Sequence, residues 1–95
     1  MNKYELALIL DSALADEAKA ERLKKVSELL ERFDAKIEKV DDWGKRRLAY
    51  EINKKTEGFY YFIYFDSESS APIEIENRLR IMDDVLRYLI IRSDM

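Results

Sequence analysis

Seven large residues stand in unbroken succession, Phe59-Tyr60-Tyr61-Phe62-Ile63-Tyr64-Phe65, between Gly58 and Asp66. The run is far short of the ~20 residues of a membrane span, and all seven are aromatic or β-branched, so it reads as a strand. Side chains alternate along a strand, which puts Phe59, Tyr61, Ile63 and Phe65 on one face and Tyr60, Phe62 and Tyr64 on the other. The odd-numbered set has the character of a core. The even-numbered set then lies on an open face, with more aromatic surface than a solvated sheet carries by default.

The rest of the chain falls into place around this strand. From Lys3 to Leu10 a period of two sets Tyr4, Leu6, Leu8 and Leu10 against Glu5, Ala7 and Ile9. Asp16 is placed to cap a helix in which Leu23, Val26, Leu30 and Phe33 recur at helical spacing. Asp34 stands where a C-terminal glycine is expected, in a position that asks for a left-handed backbone. A second strand reads as two pieces, Lys36 to Val40 and then Leu48, Tyr50 and Ile52 as inward residues, with Asp41 to Gly44 between them and Gly44 marking a bulge or turn. This alternation turns Arg47 toward the open face and Arg46 toward the helix-side rim. Lys54 to Gly58 reads as a polar turn. Ser70 and Pro72 open a second helix, Asp83-Asp84 stop it, and Val85 to Arg92 is a last strand. Strand, helix, strand, strand, helix, strand, with right-handed crossovers, gives an α/β (α+β) ferredoxin-like βαββαβ sandwich: a four-stranded antiparallel sheet with two helices on one face. A chain of 95 residues has room for one such domain, spanning 1–95.

Composition removes most chemistry. There is no cysteine and no histidine, so thiolate, imidazole and zinc-ribbon roles are excluded, and two glycines cannot build a phosphate cradle. Asp41-Asp42 and Asp83-Asp84 read as turn and helix-stop residues, with no further ligands nearby to make a metal or acid/base site. The expectation is a non-catalytic protein without metal, cofactor or small-molecule substrate. Nothing in the sequence spans a membrane, and Met1 to Glu5 lacks the order of a signal peptide, which points to the cytoplasm.

The net charge of −3 hides a segregated pattern. Between Trp43 and Lys55 stand Lys45, Arg46, Arg47, Lys54 and Lys55 against one acid, Glu51; from Thr56 to Glu76 there is no basic residue at all. Cations gathered on one hairpin suit phosphate contact, although basic side chains also guard edge strands. Tyr60, Phe62 and Tyr64, extended by Arg87, Leu89 and Ile91 of the last strand, form a face fit for stacking bases or for docking a protein, and the surrounding aliphatics favour the protein.

The block Gly44-Lys45-Arg46-Arg47-Leu48-Ala49-Tyr50-Glu51-Ile52-Asn53 resembles the signature of the bacterial small-subunit ribosomal protein number six family. Trp43 before it, Gly58-Phe59-Tyr60 after it, the opening Tyr4-Glu5 and the ending Asp83-Asp84-Val85-Leu86-Arg87-Tyr88 fit the same family, so the resemblance covers essentially the whole chain. It implies a structural ribonucleoprotein component of the cytoplasmic ribosome that binds small-subunit ribosomal RNA in the central platform region, paired with ribosomal protein eighteen. Lys45, Arg46, Arg47 and Tyr50 belong to the matching block. Electrostatics adds Lys3, Lys54 and Lys55 to the RNA-binding set, and Tyr60, Phe62, Tyr64, Arg87, Leu89 and Ile91 make the protein-partner set. The alternatives are a stand-alone single-strand RNA module that stacks bases on the aromatic face, and a metabolite-sensing regulatory domain, for which a glycine-lined ligand loop is missing.

Overall fold

The computed structural model describes residues 1–52 and 54–93. Its elements run β1 (Asn2–Asp11), α1 (Asp16–Arg32), β2 (Lys36–Ile52), β3 (Lys55–Ser67), α2 (Ala71–Leu79) and β4 (Val85–Arg92). The sheet order is β2-β3-β1-β4 and every neighbouring pair is antiparallel, which is the ferredoxin-like arrangement the sequence implied. Tyr4, Leu6, Leu8 and Leu10 of β1 and Phe59, Tyr61, Ile63 and Phe65 of β3 are buried together with Val26, Leu29 and Leu30 of α1 and Ala71, Ile75 and Leu79 of α2. One face of the sheet is therefore closed by both helices.

The start of α1 differs slightly from expectation. Ala15, in extended conformation, occupies the N-cap of α1 and Asp16 is its first helical residue, so Asp16 acts through its charge near the helix N-terminus and makes no cap hydrogen bond. Ser70 precedes α2 as expected, without a side-chain cap bond, and Pro72 sits in the first turn. The end of α1 behaves as read. Asp34 adopts φ +60°, its N–H donates to the Glu31 carbonyl at 3.0 Å, and the Ala35 N–H donates to the Leu30 carbonyl at 3.0 Å. That is a Schellman closure with the buried Ala35 packed into the same core as Leu30.

The largest correction concerns β2, which is one strand of 17 residues. Its pairing with β3 continues through Asp41 to Gly44, but the register slips at three places, between Ile37 and Lys39, between Asp42 and Gly44, and between Arg47 and Ile52. Gly44 takes φ +73° at the second, and its N–H donates to the Asp42 side chain at 2.8 Å. One extra residue in a strand moves every later side chain to the opposite face. Arg46 now pairs with Gly58 on the open face and Arg47 with Glu57 on the helix side, the reverse of the expected sides. Leu48 is buried, as expected of an inward residue, yet it lies with Ile9 beside Gly58 on the open face and outside the helix-covered core. Tyr50 is not core at all: it is 59 % exposed.

The expected polar turn is also shorter. β3 begins at Lys55, so residues 55–58 are strand, and Lys54 turns the chain with φ +64°. β1 ends at Asp11, opposite Gly58, whereas β2 and β3 pair onward to Ile52 and Lys55. Residues 47–52 and 54–57 therefore project past the sheet as a two-stranded ribbon, the 47–57 ribbon.

Gly58 marks where the ribbon leaves. A Cβ there would lie 2.5 Å from the Ile9 Cγ2 and 3.1 Å from the Leu10 carbonyl oxygen. Ile9 is buried and stiff at χ1, so it has little room to retreat. Gly58→Ala is expected to destabilise the fold by about 1–3 kcal/mol, read as a lower urea midpoint; an unchanged midpoint would show that Ile9 turns aside freely.

Tyr61 gives a pH signature. Burial, aided by the Asp42 and Asp16 charges, pushes its hydroxyl up to about 12. The unfolded chain loses that proton near pH 10, so between these values the folded state binds more protons and stability falls as pH rises. Tyr61→Phe should flatten the decline in unfolding free energy measured from pH 10 to 11.5. A slope equal to that of the unaltered chain would remove Tyr61 as its source.

Candidate RNA-binding ribbon and partner face

The open face is organised in rows that cross all four strands. Gly44, Tyr60, Ile9 and Arg87 form one row; Asp41, Phe62, Ala7 and Leu89 the next; Lys39, Tyr64, Glu5 and Ile91 a third. Tyr60, Phe62 and Tyr64 are half-buried, while Leu89 and Ile91 remain 46 % and 47 % exposed. Between Ala7, Ile9, Tyr60, Phe62, Arg87 and Leu89 lies a shallow depression of about 260 Å³. The structure thus brings all six expected partner-face residues onto one surface. It adds Trp43, whose ring centroid is 4.8 Å from that of Phe62. Trp43 is the extra residue of the bulge, on the same side as Asp41, while Gly44 takes the place opposite Tyr60.

Beyond this apolar centre the face becomes acidic and self-satisfied. Tyr64 donates its hydroxyl proton to the Glu5 carboxylate, which raises the tyrosine pKa. Lys39 Nζ stands 3.4 Å from Asp41 Oδ1. Lys3 lies at this same end, with Nζ 3.0 Å from Glu38 and 3.4 Å from Asp66, and these two carboxylates raise its pKa. The residues that hold Lys3 are 35 and 63 positions away in sequence, which is why its neutralisation could not be read from the chain.

The other five expected cations cluster at the opposite end, on the ribbon and its root. Arg46 is on the open face, donating from Nε to the Trp43 carbonyl at 3.0 Å, with its guanidinium 5.6 Å from the Trp43 ring centroid. Lys45 is on the helix side, 6.0 Å from the Phe59 ring centroid. Lys19 of α1 approaches the same ring at 4.2 Å, a neighbour that sequence reading missed because it comes from a distant helix. Arg47 and Lys54 are exposed and have no ion-pair partner among the described residues. Lys55 is half-buried and 3.7 Å from Asp11. Two faces of one narrow ribbon therefore carry cations, with Arg46 on one side and Lys45 and Arg47 on the other.

The acidic doublets have structural employment. Asp42 holds the bulge, Asp41 pairs with Lys39, and Asp84 meets Arg22 Nε at 2.8 Å. No group of three or more potential metal ligands occurs among the described residues, and none of their helices is long and apolar enough to cross a membrane.

Comparison with known proteins places this geometry. The family model for ribosomal protein S6 matches residues 3–92. The small ribosomal subunit protein bS6 of Alkaliphilus oremlandii is 47 % identical over 94 residues, covering 99 % of either chain. Its counterpart from Fusobacterium nucleatum is 37 % identical over 94 residues, covering 99 % of this chain and all of the relative. The crystal structure of 30S ribosomal protein S6 from Thermotoga maritima superposes with a TM-score of 0.92 at 31 % identity, over 97 % of this chain and 87 % of that one. The chain belongs to the ribosomal protein S6 family, and so is a structural, non-catalytic constituent of the bacterial small ribosomal subunit, at work on the cytoplasmic ribosome.

Proposed function

We propose that the chain binds the central platform region of small-subunit ribosomal RNA as one half of a heterodimer with ribosomal protein eighteen. The observation that carries this reading is the separation of two surfaces on one small sheet. The cations face outward on and around the 47–57 ribbon, and the aromatic and aliphatic face lies behind it. Lys45, Arg46, Arg47 and Lys54 are the phosphate contacts, with Lys55 a weaker member because Asp11 shares it. Lys3 is outside this set, being bound by two carboxylates at the far end of the sheet. Tyr60, Phe62, Tyr64, Arg87, Leu89 and Ile91, with Trp43, form the protein-partner surface.

Several features weigh against base stacking on the aromatic face. The Trp43 ring already covers part of Phe62, and Glu5 and Asp41 stand beside Tyr64 and Phe62, where they would repel a phosphate backbone. Docking of a protein needs no such backbone, and a basic partner would find the acidic end of the face complementary.

The test is the affinity of the intact chain for a central-domain RNA fragment, with and without ribosomal protein eighteen, across a salt series. Tight binding is expected only with the partner. Equal binding of the lone chain to that fragment and to unrelated single strands would replace this reading with the stacking module. Within the same series, Arg46→Ala with Arg47→Ala should weaken binding and flatten the plot of log affinity against log salt by about 1.5, for two lost phosphate contacts. An unchanged slope would take both arginines out of the RNA interface.

A further inference from the structure

The ribbon of residues 47–57 carries Arg47, Lys54 and Lys55, with Lys45 and Arg46 at its root, so its direction decides where those cations can meet a phosphate. A two-stranded ribbon is marginal by itself. Three contacts tie it to the sheet. Lys55 reaches Asp11, and the buried Leu48 lies with Ile9 beside Gly58. The third is Tyr50, which leans back over the open face, past β3 and β1, to β4. There the Arg87 guanidinium donates a hydrogen bond to the Tyr50 hydroxyl and lies 5.7 Å from the ring centroid. Burial does not hold this ring in place, because more than half of it is exposed.

We infer that Tyr50 is a positioning residue: its contact with Arg87 latches the cationic ribbon to the edge strand of the partner face and couples the two surfaces. The inference rests on the heterodimer reading above. Between exposed groups a cation–ring contact with one hydrogen bond is weak and opens readily. A partner seated on Leu89 and Ile91 would dry the Arg87–Tyr50 contact and strengthen it, holding the ribbon in its RNA-binding direction. Linkage makes the effect reciprocal, so RNA bound to a latched ribbon tightens the partner by the same factor. Tyr50 thereby accounts for partner-dependent RNA binding without itself touching either molecule.

The first arm of the test needs neither RNA nor partner. Hydrogen exchange of the intact chain should show the amides of 47–57 opening several-fold faster in Tyr50→Ala, with those of β1 unchanged and with the urea midpoint nearly unchanged. Tyr50→Phe, which keeps the ring over Arg87, should fall between. The second arm measures how many fold ribosomal protein eighteen tightens RNA binding. That factor should fall about tenfold in Tyr50→Ala and less in Tyr50→Phe, while the lone chain's affinity for RNA changes less than threefold. Unaltered exchange of the ribbon would overturn the latch. So would an equal loss of RNA affinity with and without the partner, which marks Tyr50 as a direct contact. If the unaltered chain gains nothing from the partner, the heterodimer reading fails and the coupling fails with it, whatever the exchange arm shows.

Discussion

The extra residue that β2 carries between Asp42 and Gly44 governs which face of the sheet Lys45, Arg46 and Arg47 present. The left-handed Gly44 and the Asp42 side chain on its N–H make the slip affordable to the backbone, since an L-residue at φ +73° would be strained by about 1–2 kcal/mol. Trp43, the extra residue, lies against Phe62, and the slip turns Arg46 outward beside it; Tyr50, past a further slip between Arg47 and Ile52, crosses the sheet to Arg87. Without the extra residue Lys45 and Arg47 would face the open side and Arg46 the helices. The proposed partner surface and the cationic ribbon are joined by a strand whose register slips three times.

An acidic chain can belong to a ribonucleoprotein because charge is sorted by place. The far end of the open face spends its charges on itself: Lys3 with Glu38 and Asp66, Lys39 with Asp41, and Tyr64 with Glu5. The helix side does likewise at Arg22 and Asp84. Arg47 and Lys54, by contrast, are exposed and form no ion pair among the described residues, although Glu57 stands opposite Arg47 on the neighbouring strand. Net charge sets how the molecule behaves at distances beyond a Debye length, roughly 8 Å at physiological salt, whereas phosphate contact is decided within one. A local cluster on a projecting ribbon is enough for the second even when the first is unfavourable.

What the sequence made legible is what depends on neighbours along the chain. The alternation of Tyr4, Leu6, Leu8 and Leu10, the odd and even faces of residues 59–65, and the left-handed Asp34 are all local facts, and each stands as read. The order of strands followed from handedness rules and the helix–strand alternation. Illegible were the consequences of pairing. Gly44 announced an irregularity, but whether it would add a residue to β2 or break it is settled only by the register against β3, so Arg46 and Arg47 were assigned to the wrong sides. Tyr50 looked like core because Leu48 and Ile52 flank it at a period of two, but at that point β2 has run past the end of β1 and Tyr50 is left exposed. Lys3 looked available because its two carboxylates lie on other strands.

The same geometry explains why the open face is better suited to a protein than to water. Leu89, Ile91 and Trp43 each leave about half their surface exposed around a depression floored by Ala7 and Tyr60. Burial of such a surface is favourable by roughly 25 cal/mol per Å² before the costs of association. The charged rows at either end then set orientation: Arg46 and Arg87 stand at the ribbon end, Glu5 and Asp41 at the other. A partner that matches this polarity docks one way round, with its own basic groups over Glu5 and Asp41. Any further cations it carries past the ribbon end would extend the line of Arg46, Arg47 and Lys54. Two modest surfaces, one from each protein, would then make a single phosphate-binding edge that neither chain offers alone.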